Sequence, residues 1–332
     1  MTKVVVMGAG SWGTTIAKVI ADGGTEVVLW ARRKDVAEEI VETRRNSDYL
    51  PGINLPKRIK PTADLGAALK GATQIYLAVP SQNLRSSLEE WKALIPKNAT
   101  LVSLIKGLEE GTGFRMSEVI ADVMGIPQTQ IAVLSGPNLA LEIARSEPAA
   151  SVVACTDLKR ATAVAKTCSS DYFTVFTNQD VIGTELGGVL KNLIAVAVGI
   201  VNGIGYGQNT KASILTRGLA EITRFAIDQG AKRSTMFGLA GLGDLIATGE
   251  SSLSRNHRAG EMLGKGYSKR EVLKRMGQTA EGLHSVKPVL ELAAKRKIQM
   301  PIVSQVQKVL EGKMKPAAFG KQLTHENDVA VE

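Results

Sequence analysis

The sequence predicts an α/β protein with a doubly wound, mainly parallel β-sheet in its first part and an all-α domain in its second part. Two observations support this prediction. Short β-branched runs alternate with helical segments as far as Asn178, which is typical of parallel strands joined by right-handed helical crossovers. Beyond Asn178 the helical pattern continues without strand-like alternation. We therefore predict one domain over residues 1–180 and a second over residues 181–332.

The predicted strands begin with Val4–Met7, a short apolar run that ends at a glycine and is typical of a strand buried on both faces. Further strands are predicted at Val27–Trp30, Gln74–Pro80, Leu101–Ile105, Ile131–Leu134, Val152–Ala154 and Tyr172–Phe176. Helices are predicted at Thr14–Ala21, Asp35–Thr43 and Leu158–Cys168, and a long apolar helix at Val181–Gly203 opens the second domain.

Length and composition narrow the class of protein. With 332 residues, of which 44% are hydrophobic and 22% charged, the chain can bury a core without disulfides or metals. The 2 cysteines and 3 histidines are scattered, which argues against a disulfide scaffold, a zinc module or another metal site. The longest apolar run, Leu193–Val201, has only 9 residues, and the N-terminus lacks the features of a secretion signal. We expect a cytoplasmic protein without a membrane span.

The net charge of +9 is compatible with nucleic acid, a membrane surface or an anionic small molecule as partner. Nucleic-acid binders usually combine clustered basic residues with aromatic residues or a docking motif. Here aromatic residues make up only 4% and the basic residues are dispersed. The charge therefore favours a cleft that binds phosphates, although pairs such as Arg44-Arg45 could simply be solvated.

The segment Gly8–Gly13 has the spacing GxGxxG, follows a predicted buried strand and opens a predicted helix. In that context Gly8 makes a tight turn, Gly10 lets the backbone approach a pyrophosphate, and Gly13 lets helix and strand pack closely. The helix N-terminus then offers free N–H groups and a positive dipole to phosphate. This arrangement predicts a Rossmann-like dinucleotide-binding domain.

The residues after the second predicted strand bear on the choice of dinucleotide. An acidic residue there would bind the ribose 2′-hydroxyl of NAD, whereas this sequence has Arg32 and Arg33. Because a guanidinium matches the geometry of a phosphate, we predict a preference for NADP(H), with NAD(H) as the alternative cofactor. One or both arginines could instead stack on the adenine.

Two later strand ends carry residues suited to a ligand. Lys106 follows a predicted strand, where ligands of open parallel sheets bind, and suits an anion or a nicotinamide amide, although it could be an ordinary surface lysine. Gly136 and Asn138 follow the next predicted strand, and we expect Asn138 to cap the helix that comes after it.

In the second domain, Lys191 interrupts the apolar stripe of the long helix, on a face with small residues such as Gly187 and Ala195. Small neighbouring residues would leave room for another group near the ammonium of Lys191. One interpretation is a general base tuned by desolvation or nearby cations, and the other is a lysine that snorkels to solvent. Asp244, which follows a glycine-rich turn, could cap a helix or orient a substrate hydroxyl or the lysine.

A helix start is predicted at Ser254, with Arg255 in the first turn and an end near Gly264. A capped N-terminus with an arginine suits a phosphate monoester, although an ordinary capped surface helix would have the same pattern.

Several longer segments carry a family resemblance. In the first half these segments are GAGSWGT (8–14), WARR (30–33), YLPGINLP (49–56), VSLIKGLE (102–109) and SGPNLA (135–140). In the second half they are ELGGVLKNLIAVAVGI (185–200), GLAGLGDLIAT (238–248) and LSRN (253–256). The glycine motif alone fits many dehydrogenases, whereas the second-half segments together are highly specific. Over nearly its whole length the sequence resembles the bacterial-type NAD(P)-dependent glycerol-3-phosphate dehydrogenases.

The resemblance implies interconversion of sn-glycerol 3-phosphate and dihydroxyacetone phosphate, which supplies phospholipid synthesis, with Lys191 as the proton acceptor or donor. To the substrate it assigns Lys106, Gly136, Asn138, Lys191, Asp244, Ser254, Arg255 and Asn256. To the cofactor, beside the glycines of the loop, it assigns Ser11, Trp12, Arg32, Arg33, Tyr49, Lys106, Ala140, Arg255, Thr279 and Glu281. The sequence departs from the family at Asn138, which is often serine, at Thr248-Gly249, where threonine-cysteine is common, and at Thr279, which is commonly apolar.

Two other functional classes remain open from the residues alone. A different two-domain dehydrogenase, acting on a 3-hydroxy acid or on phosphogluconate, would share the first domain but not the SRN segment. A dinucleotide sensor or a basic nucleic-acid binder would show no turnover. Family members are commonly homodimers, which we take as an expectation. The mechanism further requires the amine of Lys191 to meet the nicotinamide at the carboxyl end of the sheet.

Overall fold

The computed structural model describes residues 2–276 and 280–320. The chain divides into two compact units, Met1–Glu185 and Leu186–Glu332. The division falls inside one long helix, Val181–Ile204, whereas the sequence analysis placed the boundary at the start of that helix.

The first unit is built on an eight-stranded sheet in the order β3-β2-β1-β4-β5-β6-β7-β8. The strands are β1 (Val4–Met7), β2 (Val27–Trp30), β3 (Ile59–Thr62), β4 (Gln74–Leu77), β5 (Thr100–Ser103), β6 (Ile131–Ser135), β7 (Ala149–Ala154) and β8 (Phe173–Asn178). All neighbouring pairs are parallel except β6 and β7. The mainly parallel, doubly wound sheet predicted from the sequence is therefore confirmed.

Helices of the first unit cover both faces of the sheet. They are α1 (Ser11–Asp22), α2 (Lys34–Thr43), α3 (Leu65–Leu69), α4 (Leu84–Trp91), α5 (Met116–Met124), α6 (Ala140–Ala144) and α7 (Leu158–Cys168). Successive residues of β1 point to opposite faces, so Val4 and Val6 join the apolar cluster around α1, α2 and α7. Val5 and Met7 join the cluster around α3, α4 and α5. Burial on both faces explains why β1 is a continuous apolar run.

The second unit is helical throughout the residues that the structure describes. Its helices are α8 (Val181–Ile204), α9 (Gln208–Asp228), α10 (Arg233–Met236), α11 (Asp244–Glu250), α12 (Arg255–Gly264), α13 (Lys269–Met276), α14 (Glu281–Lys295) and α15 (Pro301–Leu310). A turn of π-helix, Leu239–Gly243, leads into α11. In the described part of the chain, α8 is the one helix long and apolar enough to cross a membrane, but 83% of its apolar window is buried within the protein. It is a buried core helix.

Four glycines bring α8 and α12 unusually close together. A Cβ on Gly199 would overlap the His257 carbonyl oxygen, and one on Gly203 would overlap that of Glu261. From the other side, a Cβ on Gly260 or Gly264 would meet the α8 backbone. Both pairs have the spacing GxxxG, which lets two helix backbones approach each other directly. This glycine seam fixes the position of α12, and with it the helix start at Ser254, against the helix that carries Lys191.

Candidate active site

The glycine loop after β1 has the geometry that the sequence predicted for it. Gly8 has φ +118°, a conformation that favours glycine, and a Cβ there would lie 2.7 Å from the Ala78 carbonyl oxygen. A Cβ on Gly13 would overlap the Gly8 carbonyl oxygen, so helix and strand pack too closely for a side chain. Around Gly10, by contrast, no described protein atom other than those of Gly10 and its chain neighbours lies within 4 Å of where a Cβ would be. The loop is thus tight where it touches the protein and open where a pyrophosphate would approach.

The start of α1 supplies donors at the same place. Gly10 is its N-cap and makes no side-chain cap, so the first N–H groups of the helix lack intrahelical partners. Ser11 Oγ donates to the carbonyl oxygen of Tyr49 at 2.6 Å, which ties the loop after α2 to the glycine loop. The buried indole Nε1 of Trp12 has no hydrogen-bond partner among the described residues. These features fit a dinucleotide, whose phosphates would accept the α1 N–H groups.

The two arginines after β2 differ in their surroundings. Arg33 donates to Asp35 at 2.5 Å and 3.1 Å and to Asp48 at 3.2 Å, and Asp35 raises the pKa of Arg33 further above its usual value. Arg32 is exposed and forms no hydrogen bond or ion pair with any residue that the structure describes. Of the two predicted cofactor residues, Arg32 is the guanidinium available to a 2′-phosphate, since two carboxylates already occupy Arg33.

The structure brings together the predicted ligand residues at the carboxyl ends of β5 and β6. Lys106 Nζ donates to the carbonyl oxygen of Gly136 at 2.9 Å. Gly136 has φ +150°, and a Cβ there would lie 2.8 Å from Ser151 Oγ. The same hydroxyl donates to the Ser135 carbonyl oxygen at 2.8 Å and lies 3.3 Å from Asn138 Oδ1, while the buried Asn138 Nδ2 has no partner among the described residues. Lys106, Gly136 and Asn138 thus lie together in the first unit.

The prediction that Asn138 caps the next helix is wrong. Helix α6 begins at Ala140, its N-cap is Leu139, and no side chain caps it. The Asn138 side chain turns to Ser151 of β7 instead, because β7 runs antiparallel beside β6 and presents a hydroxyl there. Ala140 lies at the first position of α6, and its carbonyl oxygen accepts a hydrogen bond from Thr15 of α1 at 3.2 Å.

In the second unit, Lys191 forms a buried ion pair. Its Nζ lies 2.8 Å from Asp244 Oδ1, and the two side chains are 6% and 2% exposed. Lys191 also donates to Thr248 Oγ1, which in turn donates to Asp244 Oδ1 at 3.0 Å. Asp244 and Thr248 are one turn apart on α11, so they present both oxygens to the same amine. This geometry favours orientation of the lysine by Asp244 over snorkelling to solvent.

The small face of α8 beside Lys191 is filled by the protein itself. A Cβ on Gly187 would lie 2.6 Å from the carbonyl oxygen of Ala240, in the π-helical turn that leads to Asp244. A Cβ on Gly241 would overlap the carbonyl oxygen of Met236. The group that the small residues of this face admit near the ammonium is the backbone of the glycine-rich turn, which thereby sets the position of Asp244.

The start of α12 lies beside this pair in the second unit. Ser254 is the N-cap, as predicted, and its hydroxyl accepts from His257 N–H at 3.2 Å. Asn256 Nδ2 donates to Asn192 Oδ1 at 2.8 Å, and Asn256 Oδ1 accepts from Gly282 N–H at 2.9 Å. A single amide thus joins α8, α12 and the first turn of α14.

Arg255 follows the cap with an exposed side chain. Desolvation of its guanidinium by neighbouring protein lowers the pKa of Arg255, and the charge of Glu281 opposes this. An arginine stays protonated at physiological pH after such a shift, so it retains its charge for a phosphate. Glu281 is the first residue of α14. Thr279, predicted to touch the cofactor, lies outside the described residues.

Three contributors to these clusters were not predicted as site residues. Thr248 was noted only as part of a family pattern, although its spacing of four from Asp244 on a helix would have placed both on one face. Asn192 and Gly282 have no sequence signal of their own, because their role depends on three helices meeting at Asn256.

Comparison with known proteins agrees with this geometry. The model of the NAD-dependent glycerol-3-phosphate dehydrogenase N-terminus matches residues 3–161, and that of the C-terminus matches residues 180–321. A relative from Leifsonia xyli subsp. xyli, named glycerol-3-phosphate dehydrogenase [NAD(P)+], is 57% identical over 97% of this chain and 88% of its own length. A relative from Mycobacterium tuberculosis, named glycerol-3-phosphate dehydrogenase [NAD(P)+] 2, is 53% identical over 93% of this chain and 92% of its own length.

Solved structures give the same picture. The crystal structure of glycerol-3-phosphate dehydrogenase from Coxiella burnetii has a TM-score of 0.92 and 37% identity, and the match covers 98% of this chain and 99% of that one. A ketopantoate reductase from Ralstonia eutropha, with a TM-score of 0.59 and 17% identity over 98% of this chain and all of its own, shares the fold alone. By sequence and structure, the chain belongs to the NAD-dependent glycerol-3-phosphate dehydrogenase family.

Proposed function

We propose that this chain catalyses the NAD(P)-dependent interconversion of sn-glycerol 3-phosphate and dihydroxyacetone phosphate. The observation that carries the proposal is the buried amine of Lys191, held 2.8 Å from Asp244 and hydrogen-bonded to Thr248. Family membership supports this reaction, and the names of the relatives, which specify NAD(P)+, support the cofactor.

The reaction needs one proton to move at the substrate C2 oxygen. When bound, the nicotinamide cofactor supplies or accepts the hydride at C2. In the reductive direction Lys191 donates a proton from Nζ to the C2 carbonyl oxygen, and in the oxidative direction it accepts the proton of the C2 hydroxyl. Asp244 keeps the amine in place through the ion pair at 2.8 Å, so that Nζ is directed before substrate arrives.

The phosphate of the substrate binds, in this proposal, at the start of α12. The capped N-terminus at Ser254 presents N–H groups and the positive end of the helix dipole, and Arg255 adds a guanidinium. Asn256 stabilises this helix start through its bonds to Asn192 and Gly282. Lys106, Gly136 and Asn138 contribute the remaining substrate contacts, for which the unpartnered Asn138 Nδ2 is a suitable donor.

The cofactor binds the glycine loop and the start of α1, and we propose that NADP(H) is preferred, with NAD(H) also accepted. Arg32 carries this preference because its guanidinium has no partner among the described residues, whereas Arg33 is held by Asp35 and Asp48. Ser11, Trp12, Tyr49, Lys106, Ala140, Arg255, Glu281 and Thr279 complete the proposed cofactor contacts.

We further propose that residues 1–180 form the cofactor domain and residues 181–332 the catalytic domain. The enzyme acts as a cytoplasmic homodimer that supplies glycerol 3-phosphate for phospholipid synthesis. Family membership supports this assignment.

The decisive experiment is oxidation of NADPH in the presence of dihydroxyacetone phosphate, with NADH measured beside it. K191M should lower kcat by about 10³-fold or more, since it removes the proton donor, while NADPH binding measured by fluorescence persists. K18M is a matched control, because Lys18 is also a buried lysine in an ion pair, with Asp22 at 2.6 Å. Turnover by K191M at the level of K18M would exclude Lys191 as the proton donor, and a wild-type protein inactive with this substrate would exclude the reaction.

A further inference from the structure

The loop that carries Lys106 continues into a closed hairpin. After β5, Leu108 and Arg115 form an antiparallel bridge. Inside it, Glu109 N–H donates to the Phe114 carbonyl oxygen at 2.9 Å, and Gly113 N–H donates to the Glu109 carbonyl oxygen at 2.9 Å. Lys106 lies two residues before the bridge, so the position of the hairpin constrains its backbone.

Gln82 holds the first strand of this hairpin with both ends of its amide. Its Nε2 donates to the Leu108 carbonyl oxygen at 2.8 Å, and its Oε1 accepts from Glu110 N–H at 3.0 Å. Gln82 comes from the 3₁₀ turn Ser81–Asn83, which follows β4, the strand beside β5. One side chain therefore pairs with the hairpin backbone as an adjacent strand would.

Arg85 binds the Glu109 side chain of the same hairpin. Its Nε and Nη2 donate to the two oxygens of Glu109 at 2.8 Å and 3.0 Å, and its Nη1 donates to Asp122 of α5 at 2.6 Å. Glu109 is 13% exposed on its side chain, and Arg85 lowers the pKa of that carboxyl. Thr112 also donates to Glu109, at 2.6 Å. A two-pronged, partly buried ion pair of this kind holds a backbone more rigidly than an exposed single contact does.

The other end of the hairpin is anchored separately. Arg115 Nη1 donates to Glu185 at 3.0 Å, and Glu185 accepts in addition from Ser117 N–H at 2.9 Å and Ser117 Oγ at 2.6 Å. These bonds hold the second strand of the hairpin at Arg115. The contacts of Gln82 and Arg85 hold its first strand.

We propose that Gln82 and Arg85 are positioning residues, which hold the hairpin so that Lys106 reaches substrate and cofactor. This inference rests on the proposed function, since it takes Lys106 as a ligand contact. Lys106 has four rotatable side-chain bonds and donates to Gly136 at 2.9 Å, so its amine can be placed only if its backbone is fixed. We place neither residue among the contacts to substrate or cofactor.

The test compares Q82M, R85M and the double variant with wild type, because methionine keeps much of the volume and removes the polar contacts. Each variant is measured for KM and kcat with dihydroxyacetone phosphate and NADPH, for Tm, and for hydrogen exchange of the amides of residues 107–115. In the double variant we expect KM to rise about tenfold, kcat to stay within about threefold, and exchange at Glu109 and Glu110 to accelerate.

R160M is the matched control, because Arg160 donates to Thr100 Oγ1 at 2.6 Å at the opposite end of β5. It should leave KM and hairpin exchange unchanged whatever its Tm. Unchanged hairpin exchange in the double variant, an unchanged KM despite faster exchange, or an equal rise of KM in R160M would each overturn the inference. A wild-type enzyme inactive with dihydroxyacetone phosphate would instead refute the proposed function, and the exchange data would still report whether the hairpin is clamped.

Discussion

Replacing Asp244 by asparagine removes the charge that faces Lys191 and keeps the size of the side chain. In the native protein the two groups are 2.8 Å apart, with 6% and 2% of their side chains exposed. The D244N variant therefore leaves a buried ammonium opposite a neutral amide. Such an ammonium either stays charged without compensation or gives up its proton.

The cost of the substitution has an upper bound. Removing one partner of a buried ion pair typically costs about 3–5 kcal/mol. Giving up the proton limits that cost, because deprotonating a lysine amine of reference pKa about 10.4 costs about 4.6 kcal/mol at pH 7. We expect D244N to lose about 4 kcal/mol of unfolding free energy. For a unit of this size that corresponds to a fall in Tm of about 8–16 °C.

The pH dependence distinguishes this mechanism from a loss of packing. If the amine is neutral in folded D244N and charged in the unfolded chain, the unfolded state binds one more proton. The stability of the variant then rises with pH relative to wild type, by about 1.4 kcal/mol per pH unit. The measurement is urea unfolding of D244N and wild type between pH 7 and pH 9, where the gap between the two should narrow.

The double variant K191M/D244N provides the refuting measurement. With both charges gone, no uncompensated charge is buried, so the double variant should be more stable than D244N alone. If the two substitutions destabilise additively, the ion pair is not what D244N breaks and our reasoning is wrong. A gap between D244N and wild type that is constant with pH would instead show that Lys191 keeps its proton in the folded variant.

Three further predictions concern the glycine loop, the cofactor and a buried carboxyl. G10A should leave Tm unchanged and weaken NADPH binding at least tenfold, because its Cβ would enter only the open space where the cofactor binds. G13A should instead lower the free energy of unfolding, measured in urea, by about 3 kcal/mol, because its Cβ would overlap the Gly8 carbonyl oxygen. Equal stabilities of the two variants would contradict this assignment. In isothermal titration calorimetry, R32A should weaken the binding of NADPH about tenfold and leave the binding of NADH unchanged. R33A should have a smaller effect on NADPH binding, because Asp35 and Asp48 already pair with Arg33. A similar loss of affinity for both cofactors in R32A would indicate that Arg32 stacks on the adenine instead. Glu221 accepts from two N–H groups at the start of α15, and burial raises its pKa to about 7, so its folded state binds the proton more tightly than the unfolded state does. Glu221 therefore contributes its full stabilisation below about pH 4.5, and this contribution is lost as the pH rises through 7. Over that range the free energy of unfolding of wild type, relative to that of E221Q, should fall by about 3 kcal/mol. A difference between the two proteins that stays constant with pH in urea unfolding would refute the raised pKa of Glu221.

Much of the fold could be predicted because its strands are buried on both faces. Runs such as Val4–Met7 need no alternation to be recognised, and the glycine loop after it is specified by local backbone geometry. Strand β3 was missed for the opposite reason. Ile59–Thr62 contains a lysine and a proline, and as an edge strand it has one neighbour and a single buried residue.

Site residues could be predicted from the sequence where their role depends on neighbours within a single helix or loop. Ser254 was recognised as the cap of α12 because capping depends on residues three apart in sequence. The direction of Asn138 and the filled face at Gly187 depend on distant segments, β7 and the π-helical turn. No local pattern specifies those neighbours. The same holds for Gln82, whose partners lie 26 and 28 residues away along the chain.

The glycine seam between α8 and α12 limits how the enzyme can be changed. Gly199, Gly203, Gly260 and Gly264 meet backbone against backbone, so no rotamer can relax to absorb even a methyl group. Directed evolution toward larger or differently charged substrates would gain nothing by randomising these four positions. A library that keeps them fixed and varies exposed positions of α12, such as Arg258, would preserve the packing of α8 against α12 in every variant.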